Sequence, residues 1–283
     1  MKAPPRTELS SVFVLVPARF RHLAPIQCEL KRVGNLCDGG YVVAESSISD
    51  SQALVSLGIA SEWSFDADFL KLKPKSEFVA CDRGTGFLVH VVAAFRGIVR
   101  IREGGIHSIL GSLKVAIRFL QLVPPRPFAT RRKFIRKWVR ASRVDPRRDC
   151  SFDEILSHLS CTHGVFVKMD IEGGEYEIIP EIIRMEAARS GLFTGLCIEF
   201  HEINARETEF LEKIQYLLRY FSIAHIHVNN CVPVTSDFPD VLEISFFPKR
   251  GTDVQERVTS LPVNGLDFPN DPSLADISLR FDV

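Results

Sequence analysis

The 283-residue sequence has no CxxC pair, and its seven cysteines, at positions 28, 37, 81, 150, 161, 197 and 231, are an odd number. That pattern excludes a zinc site of the usual spacing and argues against a disulfide framework. Several cysteines lie inside apolar, strand-like runs, as in Ala80-Cys81 and Leu196-Cys197-Ile198, and read as small buried residues of a protein in a reducing compartment. Neither charge is in excess: 35 Lys and Arg stand against 35 Asp and Glu. The balance removes any global electrostatic reason to expect nucleic acid, and no recognition motif for it is present, so a nucleic-acid partner is disfavoured. Long hydrophobic runs are missing too. The stretch Ser11–Pro17 is too short for a secretion signal or a span, and Ile106–Val123 is interrupted by Lys114 and Arg118, so a cytoplasmic location is the default expectation.

What remains, 46% hydrophobic and 25% charged residues, suits a soluble α/β domain with a substantial core. Residues 1–50 read as an irregular lead-in that packs on the main domain, with the turn signal Cys37-Asp38-Gly39-Gly40 before the apolar run Tyr41–Ala44. From Ala53 strands and helices alternate. The sequence predicts strands at 54–57, 78–82 and 97–101, and helices at 64–70, capped by Ser or Asp, and around 89–93. Residues 106–150 break the rhythm and read as a basic helical insertion. The alternation resumes with a helix at 151–158, opened by the capping-box pair Ser151 and Glu154. A strand at 165–169, a helix from about 177 to 189 with Pro180 in its first turn, a strand at 195–200 and a helix from 205 to 221 follow. Two strands without a helix between them, 222–228 and 241–247, must pair antiparallel if they pair. Residues 51–248 form the α/β domain, and 249–283 read as a polar surface arm.

The chemistry concentrates in Val165-Phe-Val-Lys-Met-Asp-Ile-Glu-Gly-Gly-Glu175, where a buried-type strand ends in carboxylates and two glycines. Ligands of open α/β sheets sit outside the carboxyl ends of the strands, so Asp170, Glu172 and Glu175 are candidates for chemistry there. Glu172 and Glu175 are equally explained as acids favoured near a helix N-terminus. The first turn, Gly58-Ile-Ala-Ser-Glu62, keeps only the first glycine of a GxGxxG fingerprint. Asp82, at the end of the next predicted strand, is suited to accept both ribose hydroxyls of an adenosine. His201 follows the strand ending in Glu199-Phe200 and emerges at the same edge. His225 and His227 share a strand face; with Asp170 and His201 they could gather a divalent metal, but no fixed-spacing motif supports one, and no metal ligand is assigned. Asn229 and Asn230 offer amides to acceptor hydroxyls, though turn formation explains them nearly as well.

Four blocks together carry a resemblance: Leu57–Asp66, Phe166–Tyr176, Ile198–His201, and His225–Asn230 followed by Leu242–Ser245. The sequence resembles the FkbM-like methyltransferase family over about residues 35–248, the basic stretch excepted. The resemblance implies a Rossmann-like class I methyltransferase fold, with a mostly parallel seven-stranded sheet and an antiparallel last strand. It also implies S-adenosylmethionine as methyl donor and a sugar, glycan or glycoconjugate hydroxyl as acceptor. On this reading Gly58, Glu62, Asp82 and Asp170 contact the donor, Asp170 is the leading catalytic residue with His201 assisting, and Glu172, Glu175, His227, Asn229 and Asn230 face the acceptor. The ten Lys and Arg between Arg126 and Arg148, with Phe134, Ile135, Trp138 and Val139 interleaved, fit a helix on an anionic membrane surface or against a phosphorylated acceptor. A solvated helix docking Trp138 on the core explains Arg131–Arg148 as well. An alternative for the whole chain is a non-catalytic module that keeps the fold and recruits a membrane or partner through this segment.

Overall fold

The computed structural model describes residues 12–60, 62–84, 117, 131–142, 145–249 and 256–282. Its centre is built from continuous apolar runs rich in β-branched and aromatic residues. β4 (Ala53–Leu57), β5 (Glu77–Cys81), β9 (Val165–Met169) and β10 (Phe193–Phe200) pair in parallel and are buried almost throughout, as strands covered on both faces must be. β11 (Phe221–Val228) and β12 (Leu242–Pro248) complete one side, β12 running antiparallel to both β10 and β11. With β6 (Arg132–Ile135) at the far edge the order is β11-β12-β10-β9-β4-β5-β6. This is the mostly parallel seven-stranded, Rossmann-like sheet with an inserted antiparallel strand that the sequence predicts.

The connection reverses direction between β4 and β9, so the topological switch point lies where Gly58 and Asp170 leave their strands. Alternation along the strands divides the sheet into two faces. Val167, Met169, Ile198 and Ile244 lie on an apolar face. Registered pairing sets Lys168 beside Cys197 and Ser56, Glu199 beside Glu243, and His227 beside Glu243 on the other.

Helices α1 (Glu45–Ser49), α2 (Ser64–Leu72), α3 (Phe152–Leu156), α4 (Glu175–Ala188) and α5 (Glu207–Leu217) flank the sheet. The capping box of α3 forms as expected: Ser151 accepts from the Glu154 N–H and Glu154 from the Ser151 N–H. The N-terminus of α2 differs, since no side chain of Ser64 or Asp66 caps it. The Glu62 carboxylate accepts from the Ser64 N–H instead, at 2.7 Å. Pro180 sits in the second turn of α4 rather than its first, because the helix starts two residues earlier than expected. Phe221 opens β11 instead of closing α5.

Two larger expectations are corrected. The segment read as a basic helix is extended: β6 joins the sheet edge beside β5, and β7 (Trp138–Val139) pairs with β8 (Asp149–Cys150). An edge strand tolerates charged side chains, and every residue of β6 is half-buried, so its apolar spacing carried no helical face. β6 thus extends the sheet edge, and β7 lines the cleft beside it. The strand and helix expected at 97–101 and 89–93, and all of 106–130 except Ile117, lie outside the described residues. The surface arm is also corrected. β1 (Val12–Leu15) pairs in parallel with β14 (Ile277–Arg280), which pairs with β13 (Ser260–Leu261), and Leu261, Ile277, Leu279 and Phe281 are buried. Near the N-terminus Phe20 stacks on Phe238, and the strands β2 (Leu30–Val33) and β3 (Tyr41–Ala44) form a hairpin. Among the described residues no helix is long and apolar enough to cross a membrane.

Candidate active site

Gly58 ends β4 with a left-handed φ of 73°, and a Cβ there would collide with the Asp170 carbonyl. Glycine is thus required for the two central strands to part at close quarters. The cleft that opens beyond them encloses about 710 Å3. Gly58, Ala60, Asp82, Asp170 and Glu172 line it together, with Lys137, Trp138 and Arg140 forming another part of the wall. Asp82 shapes the first turn: its Oδ2 accepts from the Ala60 N–H at 2.7 Å and its Oδ1 from the Gly84 N–H at 2.6 Å. Ala60, Glu172 and Glu202 are the non-glycine residues with positive φ among the described residues, at 39°, 54° and 56°, and all three line this cleft. Such conformations cost about 1–2 kcal/mol each and cluster where function holds them.

Behind Asp170 stands a residue that the motif reading left unassigned. Lys168, two positions earlier on the same face of β9, is 4% exposed, and its Nζ donates to the Gly58 carbonyl at 2.9 Å and to Asp170 Oδ2 at 3.3 Å. Burial alone would lower its pKa, but Asp170, Asp66 and Glu199 outweigh burial and raise it, so the ammonium is retained. One cation therefore fixes both the first turn and the leading carboxylate. A lysine inside an otherwise apolar strand, two residues before an acid, is the signal that marks it in the sequence.

His201 lies at the rim, its Nδ1 held by Glu175 Oε1 at 3.2 Å. Glu175 is wholly buried and also accepts from the Ile171 N–H at 2.9 Å, so it positions the imidazole and the turn rather than facing an acceptor. The Nε2 of His201 is 3.6 Å from Glu172 and 3.9 Å from both Asp170 and Glu199. Burial pulls the imidazole pKa down, but the Glu175 hydrogen bond and the surrounding carboxylates carry it up to about 9. His201 is consequently an imidazolium at neutral pH. Asp170, Glu172 and His201 bring one ligand-type atom each within 4.8 Å of one another. His225 and His227 stand apart from this group, buried and hydrogen-bonded to Asp267 and to Asp276 and Glu243.

Deeper along the polar face, Glu199 accepts from the Tyr41 hydroxyl at 3.3 Å and from the Asn229 amide at 2.7 Å. Burial, with Asp170 and Glu243 nearby, pushes its carboxyl up to about 8. Asn229 thus reaches the site only through Glu199. Three other predicted contacts are not brought to the cleft. Glu62 caps α2 and packs on Gly39; His227 is 5% exposed between Glu243 and Asp276; Asn230 is saturated by the backbone of Asp271, Leu274 and Ala275. The last two tie the C-terminal strands to the sheet, a partnership that no local pattern announces.

No family model and no curated protein matches the sequence. Among solved structures, the chain is similar to the methyltransferase FkbM from Methylobacillus flagellatus KT, with 18% identity and a TM-score of 0.38 over 69% of this chain. The match covers 44% of that protein, so this chain spans less than half of its length. It is similar to the precorrin-6y C5,15-methyltransferase from Geobacter metallireducens GS-15, with 13% identity and a TM-score of 0.35, over 72% of this chain and 86% of that one. A dimethyladenosine transferase from Plasmodium falciparum shares 11% identity at a TM-score of 0.32, over 72% of this chain and 60% of its own.

Proposed function

We propose that this chain is an S-adenosylmethionine-dependent O-methyltransferase acting on a hydroxyl of a sugar, glycan or glycoconjugate. The observation that carries the reading is the convergence of the Gly58 turn, Asp82 and Asp170 on one cleft at the sheet's switch point. The residues fit the donor in size and chemistry. A volume of about 710 Å3 lies within the small-molecule range. Asp82 directly follows β5 at the cleft and already organises the first turn by accepting from the Ala60 and Gly84 N–H groups, which sets its carboxylate where a ribose would lie. Trp138, 49% exposed in the cleft wall, offers a flat ring to a base.

Bound there, S-adenosylmethionine supplies an electrophilic methyl group on a sulfonium sulfur. The protein's own task is to align the acceptor oxygen and to remove its proton. Asp170 takes that proton, its second oxygen anchored by Lys168 so that the first faces the cleft. His201, protonated at neutral pH, does not act as base; it orients the carboxylates and moderates their repulsion. With two cations already among these acids, no step requires a metal ion, and EDTA is expected to leave donor binding unchanged. A neutral polyol suits Asp170, Glu172 and Glu202, which accept hydroxyl hydrogen bonds. Lys137 and Arg140 suit an anionic part of a glycoconjugate, which gives the basic stretch a role within the cleft rather than on a membrane.

Calorimetric titration with S-adenosylhomocysteine tests the donor half: one equivalent binds, and Asp82→Asn weakens it about tenfold. No heat with a folded wild-type protein would end the reading. For catalysis, S-adenosylhomocysteine release is followed across a panel of sugar and glycoconjugate acceptors. Asp170→Asn keeps donor binding and loses about 100-fold or more in rate; undiminished turnover removes Asp170 from the role.

A further inference from the structure

Cys81 and Cys150 come from segments 69 positions apart, yet their sulfurs lie 3.4 Å from each other in the buried wall of the cleft. Cys81 is the last residue of β5, immediately before Asp82, and lines the cleft. Cys150 ends β8 and is registered against Val139 of β7, whose two residues also line the cleft. Each thiol makes one further contact: Cys81 donates to the Lys137 carbonyl at 3.3 Å and Cys150 to the Trp138 carbonyl at 3.6 Å. The two thiols are therefore the joint between the strand that presents Asp82 and the segment that presents Lys137 and Trp138. Among the described residues Cys81 and Cys150 form the one hydrogen-bonded sulfur pair.

We infer that Cys81 and Cys150 are an oxidative modification site: a hydroperoxide converts them to an intramolecular disulfide that deforms the donor cleft. In the first step one sulfur attacks the peroxide, the O–O bond breaks, and a sulfenic acid and one water form. In the second the neighbouring thiol attacks that sulfur, the S–O bond breaks, and its oxygen leaves as a second water while the S–S bond forms. The two thiols lose two electrons in all and hydrogen peroxide is reduced to two waters. A partner already in contact favours this second step over further oxidation.

Closing the pair means drawing the sulfurs from 3.4 Å to the bond length of about 2.05 Å. The disulfide also has no S–H to offer the Lys137 and Trp138 carbonyls. Strain falls on two neighbouring parts of the cleft lining at once: on Asp82, whose oxygens organise the first turn, and on Trp138, whose carbonyl Cys150 contacts. The covalent step stands on the sulfur geometry alone, whereas its effect on donor affinity rests on the proposed donor site.

The test treats the full-length protein with stoichiometric hydrogen peroxide, alkylates the remaining thiols, and maps the peptides by mass spectrometry. Expected is a cross-linked 81–150 pair two mass units lighter than the two thiol peptides, while Cys28, Cys37, Cys161, Cys197 and Cys231 stay alkylatable. In a Cys150→Ala variant the cross-link is absent, and mapping of the wild type decides the matter if that variant does not fold. Calorimetry with S-adenosylhomocysteine then shows affinity about tenfold weaker in the oxidised protein and restored by dithiothreitol. Cys81 and Cys150 still alkylatable, or found as sulfinic acids or in other pairings, overturns the modification site. A cross-linked protein with unchanged affinity overturns the effect on the cleft. If the reduced protein binds no donor while the cross-link forms, the methyltransferase reading and the inferred loss of affinity fail, and the disulfide stands.

Discussion

Glu199 holds its proton in the folded protein because burial leaves the carboxylate no water, and Tyr41 and Asn229 supply only two donors against Asp170 and Glu243. Its folded pKa of about 8 lies above the ordinary value of 4.5. Between those values the native state binds a proton that the unfolded chain has released, so stability falls as pH rises through the window. Glu199→Gln keeps the shape and the amide contact but cannot ionise. Urea unfolding at pH 5 and pH 8 should show a smaller loss in this variant than in wild type, by on the order of a few kcal/mol; equal losses would refute the assignment. His201→Gln should retain donor binding within about threefold yet slow methyl transfer about tenfold or more, since the imidazolium is lost and the proton acceptor is not. At this scale the sequence was a good guide where a side chain answers to its own strand end. Asp170, Glu172, Asp82 and His201 were legible from their positions after apolar runs, but His227 and Asn230 were not. Their partners, Asp276 and the 271–275 backbone, lie more than forty residues away.

The turns that leave β4, β9 and β10 are held in left-handed geometry at Ala60, Glu172 and Glu202, and the side chains of the last two are themselves exposed. Glu202→Gly relieves the φ of 56° at the cost of extra freedom in the unfolded chain. The variant should unfold within about 1 kcal/mol of wild type, where the same change inside a helix would be clearly destabilising. Gly58→Ala is the opposite case. With the Asp170 carbonyl against the new Cβ, the ends of β4 and β9 must separate, and a drop of several kcal/mol in unfolding free energy is expected from thermal or urea melts. Strands of continuous apolar character and the α3 capping box were readable from local sequence alone. The β6 edge strand was not, because pairs of basic residues followed by Phe134-Ile135 and Trp138-Val139 repeat every four positions and offer the same apolar spacing as an amphipathic helix.

For the molecule as a whole, Asp66 at about 6, Glu199 at about 8, His201 at about 9 and His227 at about 10 all bind protons more tightly when folded. For the two acids burial is the first cause. For the two histidines burial opposes the shift, and hydrogen bonds to Glu175 or to Asp276 and Glu243 overcome it. The histidine contributions are complete below their unfolded pKa of about 6.5 and vanish as pH climbs through the folded values. Stability should therefore decline from about pH 5 to pH 10, with a shallower decline above pH 7 in His227→Gln. A flat or rising profile over that range would contradict the buried network. The polar face of the sheet was the least legible feature overall, since it takes shape only when β10, β11, β12 and the 256–282 segment assemble.

The pairing of Val12 with Ile277 carries a kinetic consequence. On the ribosome β1 emerges long before β14, so Val12, Phe13 and Leu15 wait while the 265 positions from Val12 to Ile277 are added before their neighbour exists. Refolding from denaturant must close the same very long loop, a step slowed by the entropy of bringing distant segments together. A slow final phase, in which the second sheet zips shut over a core already formed, is the expected signature of this chain's assembly.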